Sequence, residues 1–395
     1  MAYVSAIKIE GLLGRSETIE FQLQRDVNII FGDNGCGKTT LLKIIDAALS
    51  RDAEAIQRLP VTKAEIHIYS EDHKKLIKHS WERKKGKDST LERIHNMRFQ
   101  AYLAQAEIID DPRSLMFDSV VEPNQWKLTP SLKDKETKRW AHTFLPTTRL
   151  YLTDRSSRAA ASRSQLSEAQ LDELFAESVN RAWLVYYSKA LQEVRGIQEE
   201  GLRAVLHNVL FTGLREPAVP STNTAEIYDR VVNFLNRQPT SGAMVLGSLE
   251  QFNKRYESDG NLRRSVDNIN AIERRIESTM LPIDRFKATI ESLFSRGKKI
   301  SILANQLQVT LITGETVSAA NLSSGEKHML KILLSAMTAA GNSVLIDEPE
   351  LSMHIDWQRL FVQTVQALNP DCQLILASHS PEIMADISDE KIFKI

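Results

Sequence analysis

The sequence is poor in several features that would announce a class at once. Its 395 residues include two cysteines, Cys36 and Cys372, too few for a disulfide framework or a zinc site built on thiolates alone. Proline (12) and glycine (16) are too sparse for a collagenous or disordered chain. No run approaches the roughly 18–20 consecutive apolar residues of a membrane-spanning helix. The opening segment MAYVSAIKIEGLLG alternates like a strand and lacks the basic-then-apolar layout of a secretory leader. Charge of one sign is missing too: 50 Lys+Arg against 51 Asp+Glu leave a net charge of −1. No global field therefore favours nucleic acid or membrane, and any basic surface must be local. With 42% hydrophobic and 26% charged residues, the expectation is a soluble, cytoplasmic protein of two or three units, taking about 150 residues per domain.

What is present is an α/β pattern at both ends of the chain. Tyr3–Glu10 and Thr18–Gln22 alternate, and Val27–Phe31 is a short apolar run, as a buried strand would be. The run meets Gly32-Asp33-Asn34-Gly35-Cys36-Gly37-Lys38-Thr39-Thr40, and a helical pattern follows to Leu49. This is G-x-x-x-x-G-K-[ST] in the strand–loop–helix setting that makes it a phosphate loop. Glycines let successive N–H groups turn toward phosphate oxygens, and the helix N-terminus adds its positive end. Lys38 would reach the β- and γ-phosphates, and the Thr39 hydroxyl would ligate Mg²⁺.

A second apolar strand, Val344–Ile346, delivers Asp347 and Glu348 at its carboxyl end, where ligands bind in open α/β sheets. Asp347 suits Mg²⁺, directly or through water. Glu348 suits a general base acting on the attacking water. Asn321-Leu322-Ser323-Ser324-Gly325-Glu326 opens a helix, and reads either as a second anion site or simply as a cap. His379, in Ser378-His379-Ser380-Pro381, follows the strand Gln373–Ala377.

These motifs, in this order, resemble those of the ABC-type ATPases. GDNGCGKT is similar to Walker A, LSSGE to the signature, VLIDEPE to Walker B, ELSMH to the D-loop and ASHS to the His switch. Lys38 and Leu322 stand 284 positions apart, unlike transporter cassettes, whose motifs lie much closer together. Within the superfamily the chain looks like the SMC, RecF and overcoming-lysogenisation (OLD) branch, and most like OLD-like ATPases of anti-phage systems such as PARIS, Septu and Gabija.

The resemblance implies ATP and Mg²⁺ as ligands and a homodimer, or a higher homo-oligomer, closing head-to-tail around two nucleotides. It assigns Glu348 and His379 to catalysis, and Thr39 and Asp347 to the metal. Gly32, Asp33, Asn34, Gly35, Cys36, Gly37, Lys38, Thr39 and Thr40 would bind the nucleotide. Ser323, Ser324, Gly325 and Glu326 would meet the partner copy's γ-phosphate, and Glu350, Leu351 and Ser352 would cross the seam. The glutamine of the family's Q-loop has no clear counterpart: Phe144–Arg149 carries Thr147, Thr148 and Arg149, with Gln100 and Gln105 as other candidates.

Between the two ends the pattern becomes helical. The expected layout is an N-terminal lobe over 1–159, a helical insertion over 160–297 and a C-terminal lobe over 298–395. Ser167-x-x-Gln170 is a capping-box candidate, and apolar residues from Leu262 to Ile290 form an amphipathic stripe with Pro282 inside it. Basic clusters at 83–87 and 127–139, flanked by Trp126 and Trp140, could contact nucleic-acid phosphates or be plain solvated surface. The tryptophans could stack on bases or sit in the core. The expected function is an ATPase that senses and controls a separate effector, a nuclease or toxin, in anti-phage defence. A RecF- or SMC-like repair ATPase that binds DNA directly is the competing reading.

Overall fold

The structure is a computed structural model that describes residues 2–83, 126–129, 140–147, 167–211, 225, 227–229, 231–232, 247–294, 298–303, 306–311, 313–339 and 341–395. The first part of the chain forms β1 (Ala2–Glu10), β2 (Thr18–Gln22), β3 (Val27–Phe31), α1 (Lys38–Ser50), α2 (Ala53–Gln57), β4 (Lys63–Ser70), β5 (Lys75–Glu82), β6 (Lys127–Thr129) and β7 (His142–Leu145). The middle forms α3 (Glu168–Phe211), α4 (Leu249–Ser258), α5 (Gly260–Leu293), β8 (Lys298–Leu303), β9 (Gln306–Leu311), β10 (Thr316–Val317) and α6 (Ser324–Thr338). The last part forms β11 (Ser343–Asp347), α7 (Ile355–Leu368), β12 (Gln373–Ser378), α8 (Pro381–Met384) and β13 (Ile392–Lys394).

The chain folds into two compact units, one from 1–155 with 339–395 and one from 156–338. The α/β class with an inserted helical segment, expected from the sequence, is the architecture found. Residues 298–338 fall within the second of these units. Strands β8–β10 and helix α6 thus share a unit with the long helices.

The first unit holds two five-stranded sheets. One is antiparallel, in the order β2-β1-β4-β5-β6. The other is parallel, in the order β13-β3-β12-β11-β7. Strand composition explains the difference. β4 alternates between buried and half-buried residues, as a strand with one wet face does, whereas β11 and β12 are buried at every position. Helix α1 turns Leu41, Leu42, Ile44 and Ile45 into a core that also takes Ile7 and Ile9 of β1, Ile66 and Ile68 of β4, and Ile375 of β12.

Polar bonds stitch the same unit. The fully buried Gln373 donates to the carbonyls of Val4 (2.7 Å) and Gln24 (2.8 Å) and accepts from Val4 N–H and Ser343 Oγ (both 2.9 Å). His79 of β5 is buried between Ala48 O, 3.0 Å from Nδ1, and the Trp140 indole N–H, which donates to Nε2 at 3.3 Å. Trp126 is buried in the core, and Trp140 packs against it. Arg83 donates to the carbonyls of Val61, Gln57 and Leu59 and lies over the Trp81 ring. Both tryptophans and the first basic residue are therefore engaged within the protein. The rest of the 83–87 cluster, and all of the second except Lys127, lie outside the described residues, as do Gln100 and Gln105.

In the second unit α3 and α5 pack together, with Trp183 stacked on Phe286 (ring centroids 5.7 Å apart). Gly201 of α3 permits this approach: a Cβ there would sit 2.1 Å from Ile272 Cδ1. Ser167 and Gln170 form the expected capping box, with Ser167 N–H donating to Gln170 Oε1 and Gln170 N–H to Ser167 Oγ. Helix α5 runs on through Pro282. Lys327 of α6, buried, is paired with Asp172 of α3 at 2.6 Å. Its neighbour His328 is pushed down to about 4 by burial. Among the described residues no helix is long and apolar enough to cross a membrane.

Burial pushes His79 down from 6.5 to about 4; its bond to Ala48 opposes this in part and nearby Arg51 adds to it. The unfolded chain therefore binds a proton between those values that the folded chain refuses. The stability held by neutral His79 is complete above pH 6.5 and is lost as pH falls toward 4, by about 3 kcal/mol. Urea-unfolding midpoints followed from pH 7.5 to 4.5 should fall less steeply in His79→Gln than in the unsubstituted protein. Equal slopes would mean that His79 does not carry the effect.

Candidate nucleotide site at the carboxyl edge of the parallel sheet

Parallel pairing brings distant segments to one edge. β3 pairs with β12, β12 with β11 and β11 with β7, all in the same direction. Four carboxyl ends therefore emerge together, carrying Gly32, His379, Glu348 and Pro146 respectively. The loop after β3 turns at Asp33–Cys36, with Cys36 N–H donating to Asp33 O (3.2 Å). It enters α1 through Gly37, at φ 112°, a value that a side chain rarely adopts. A Cβ at Gly37 would also press on Leu12 at 3.0 Å. Gly35 is likewise left-handed.

Lys38, the first residue of α1, is 5% exposed. Its ammonium has three donors, and two are taken by the loop carbonyls of Gly32 (2.7 Å) and Asp33 (3.0 Å). Asp33, Asn34 and Gly35 are exposed at the loop tip, Thr39 and Thr40 are half-buried, and Cys36 is buried.

Across the edge, Asp347 is 1% exposed at the end of β11. Its Oδ1 accepts from Thr39 Oγ1 at 3.0 Å, joining residues 308 positions apart. Its Oδ2 accepts from Thr147 Oγ1 at 2.5 Å. The next residue, Glu348, is half-buried and sits in the left-handed region at φ 51°. Its N–H donates to Ala377 O (2.8 Å), which pins the turn to β12.

Glu350 is 7% exposed and turned inward. Its Oε1 accepts from His379 twice, from the backbone N–H at 2.9 Å and from ring Nδ1 at 3.0 Å. Oε2 is buried without a hydrogen-bond partner among the described residues. The His379 side chain is 48% exposed, so with Nδ1 committed to the carboxylate the Nε2 edge is the one left for other groups. Leu351 and Ser352 are exposed, Ser352 with φ 63°.

The signature segment belongs to the second unit. Ser323 caps α6 in a full capping box: Glu326 N–H donates to Ser323 Oγ (3.3 Å), and Ser323 N–H donates to Glu326 Oε2 (2.7 Å). Ser324 is exposed and Gly325 buried. The capping reading of this segment describes its free geometry, with both Ser323 and Glu326 occupied locally.

Two roles escaped sequence reasoning. Thr147 stands where a glutamine was sought, and its hydroxyl is held by Asp347 instead. Glu350, read from the linear motif as a seam residue, grips His379 of its own chain. Neither pairing has a local sequence signal, because each needs the strand order of the sheet.

Among the described residues no cluster of three or more His, Cys, Asp or Glu could hold a metal ion by itself. What the edge offers is hard oxygen: the Thr39 hydroxyl and the Asp347 carboxylate. That donor set fits Mg²⁺, which binds through one or two protein oxygens together with phosphates and water.

The fold and this edge define a P-loop ATPase-type domain. The chain belongs to the family described as "AAA domain, putative AbiEii toxin, Type IV TA system", whose pattern matches residues 27–385. It is 35% identical over 100 residues to a "Retron Vc95 probable ATPase" of Vibrio cholerae serotype O1 biovar El Tor, a stretch that covers 22% of this chain and about a fifth (20%) of that relative. Among solved structures it is distantly similar to the Smc head domain with an extended coiled coil, bound to the C-terminal domain of ScpA, from Pyrococcus furiosus. There the identity is 13% and the TM-score 0.41, covering 98% of this chain and 92% of that one. Similarity to the SMC head domain of Thermotoga maritima is of the same order, at 12% identity and TM-score 0.39, covering 97% and 91%.

Removing the Glu350 carboxylate strands two donors of His379. Glu350→Ala should lower unfolding free energy by about 2 kcal/mol, the usual worth of hydrogen bonds to a charged group, read as the shift of a urea midpoint. No shift would mean that the pair contributes nothing to the fold.

Proposed function

We propose that this protein binds and hydrolyses Mg-ATP at the sheet edge, and that it works as an OLD-like ABC ATPase controlling a separate effector in anti-phage defence. The observation that carries the ATPase reading is the Thr39–Asp347 hydrogen bond, which unites the phosphate loop and the acid-bearing strand across 308 residues.

Each residue's part follows from its chemistry. The loop N–H groups from Asp33 to Thr40 and the start of α1 favour a polyphosphate. Lys38 exchanges its carbonyl partners for phosphate oxygens, which are stronger acceptors for an ammonium. Mg²⁺, when bound, supplies charge neutralisation between phosphates. Thr39 and Asp347 would hold it: the Thr39 proton is directed to Asp347, so the hydroxyl oxygen would keep its lone pairs for the ion. Glu348, half-buried one residue beyond, orients and deprotonates the attacking water. His379, its Nδ1 fixed by Glu350, presents Nε2 toward the phosphate.

Ser323, Ser324, Gly325 and Glu326 act on the nucleotide of a second copy, with Glu350, Leu351 and Ser352 along the seam, so that ATP binding drives a head-to-tail homodimer or a larger homo-oligomer. For Ser323 this means leaving its capping role or sharing it. The separate effector is supported by three things: the resemblance to OLD-like defence ATPases, the toxin–antitoxin description of the family, and the partial likeness to a retron ATPase.

Lys38→Ala should abolish nucleotide binding while leaving the thermal midpoint in place; equilibrium dialysis with ATP measures the first and calorimetry the second. Glu348→Gln in saturating Mg-ATP should accumulate a dimer by light scattering, and a persistent monomer would sink the composite-site reading. A tagged Glu348→Gln protein, recovered in Mg-ATP after nuclease treatment, should carry a stoichiometric protein partner. Recovery of DNA without such a partner would favour direct DNA binding instead.

A further inference from the structure

The Asp347 carboxylate has two oxygens, and each is taken by a different threonine. Thr39 comes from the first turn of α1 and holds Oδ1. Thr147 comes from the end of β7 and holds Oδ2. β7 lies beside β11 with Leu145 paired to Ile346, so the chain leaving β7 passes next to Asp347. Pro146 ends the strand, because it has no N–H to continue the ladder, and Thr147 follows as the first residue free to turn its side chain toward that carboxylate. The carboxylate is almost fully buried, where an unbonded charged oxygen is costly.

The rotation of a carboxylate about its last bond is broad and roughly two-fold. A hydroxyl on Oδ1 alone leaves that rotation loose, whereas a hydroxyl on each oxygen fixes it. Mg²⁺ tolerates little departure from octahedral geometry, so the orientation of its protein ligand matters. Partners of a ligand that do not touch the ion typically change metal affinity about 10–100-fold when they are removed.

We propose that Thr147 is a positioning residue for the divalent cation: it holds Asp347 in the orientation at which the carboxylate and Thr39 serve one ion. The assignment rests on the reading of Lys38, Thr39 and Asp347 as the Mg-nucleotide site. It gives Thr147, two residues beyond β7, a role in metal binding through a hydroxyl.

The test measures Mn²⁺ affinity in the presence of ATP by electron paramagnetic resonance, with nucleotide affinity in EDTA measured alongside. The proteins compared are the unsubstituted full chain, Lys38→Ala, Thr147→Val and Thr147→Ser. Thr147→Val should weaken Mn²⁺ binding about tenfold or more and leave nucleotide affinity in EDTA unchanged. Thr147→Ser, which keeps the hydroxyl, should restore Mn²⁺ affinity to within about threefold. If Thr147→Val folds poorly, Thr147→Ala against Thr147→Ser carries the same comparison, since both lose the methyl group and only one loses the hydroxyl. Unchanged Mn²⁺ affinity in Thr147→Val, in a chain that binds ATP and loses it in Lys38→Ala, would overturn the positioning role alone. Failure of the unsubstituted chain to bind ATP, or full binding by Lys38→Ala, would overturn the site and the proposal together.

Discussion

Everything at the candidate site depends on four strands pointing the same way. A parallel sheet cannot be closed by tight turns, so its neighbours in space are strangers in sequence: β3 lies beside β12, and β11 beside β7. The fixed register delivers Gly32, Asp347 and His379 to one edge although they span most of the chain. Burial on both faces makes that register hard to slip. A shift by one residue would exchange the faces of β11 and β12, moving Asp347 out of reach of Thr39. The antiparallel sheet and α1 complete the core beneath this edge.

The edge is also held by polar bonds whose partners are all internal. Lys38 rests on its own loop, Asp347 on two threonines, and His379 on Glu350. These are preformed orientations: a ligand would replace the carbonyl partners of Lys38, while Asp347 and His379 would keep theirs. Some backbone strain also lies at this edge. Glu348 and Ser352 hold left-handed backbones, at roughly 1–2 kcal/mol each for a residue with a side chain, and the Glu348–Ala377 bond helps to hold the first of them.

Much of this was legible in the sequence, for a physical reason. A phosphate loop and an acid-ending apolar strand are local patterns, so Gly32–Thr40 and Ser343–Glu348 could be read residue by residue. The Ser167–Gln170 cap was readable for the same reason. Strand β7 was less so. Its ladder covers His142–Leu145, because pairing with β11 sets its start and Pro146 its end. The short β6 and α2 carry too few residues for a period to be visible. The roles of Thr147 and Glu350 were illegible, since a hydroxyl or a carboxylate shows its partner only once the sheet order is known. The grouping of β8–β10 and α6 with the long helices likewise depends on packing, such as the Lys327–Asp172 pair, that no linear pattern encodes.

Gln373 bears on how this sequence can change over generations. Its side-chain amide meets Val4, Gln24 and Ser343 with all four of its hydrogen-bonding positions used. Glutamate in its place would turn two donors into acceptors facing carbonyl oxygens, and leucine would strand backbone groups in the core. The position cannot drift by single neutral steps. A successor to Gln373 would need simultaneous replacements on β1, before β3 and on β11, so these distant segments are expected to be bound together as one unit of inheritance.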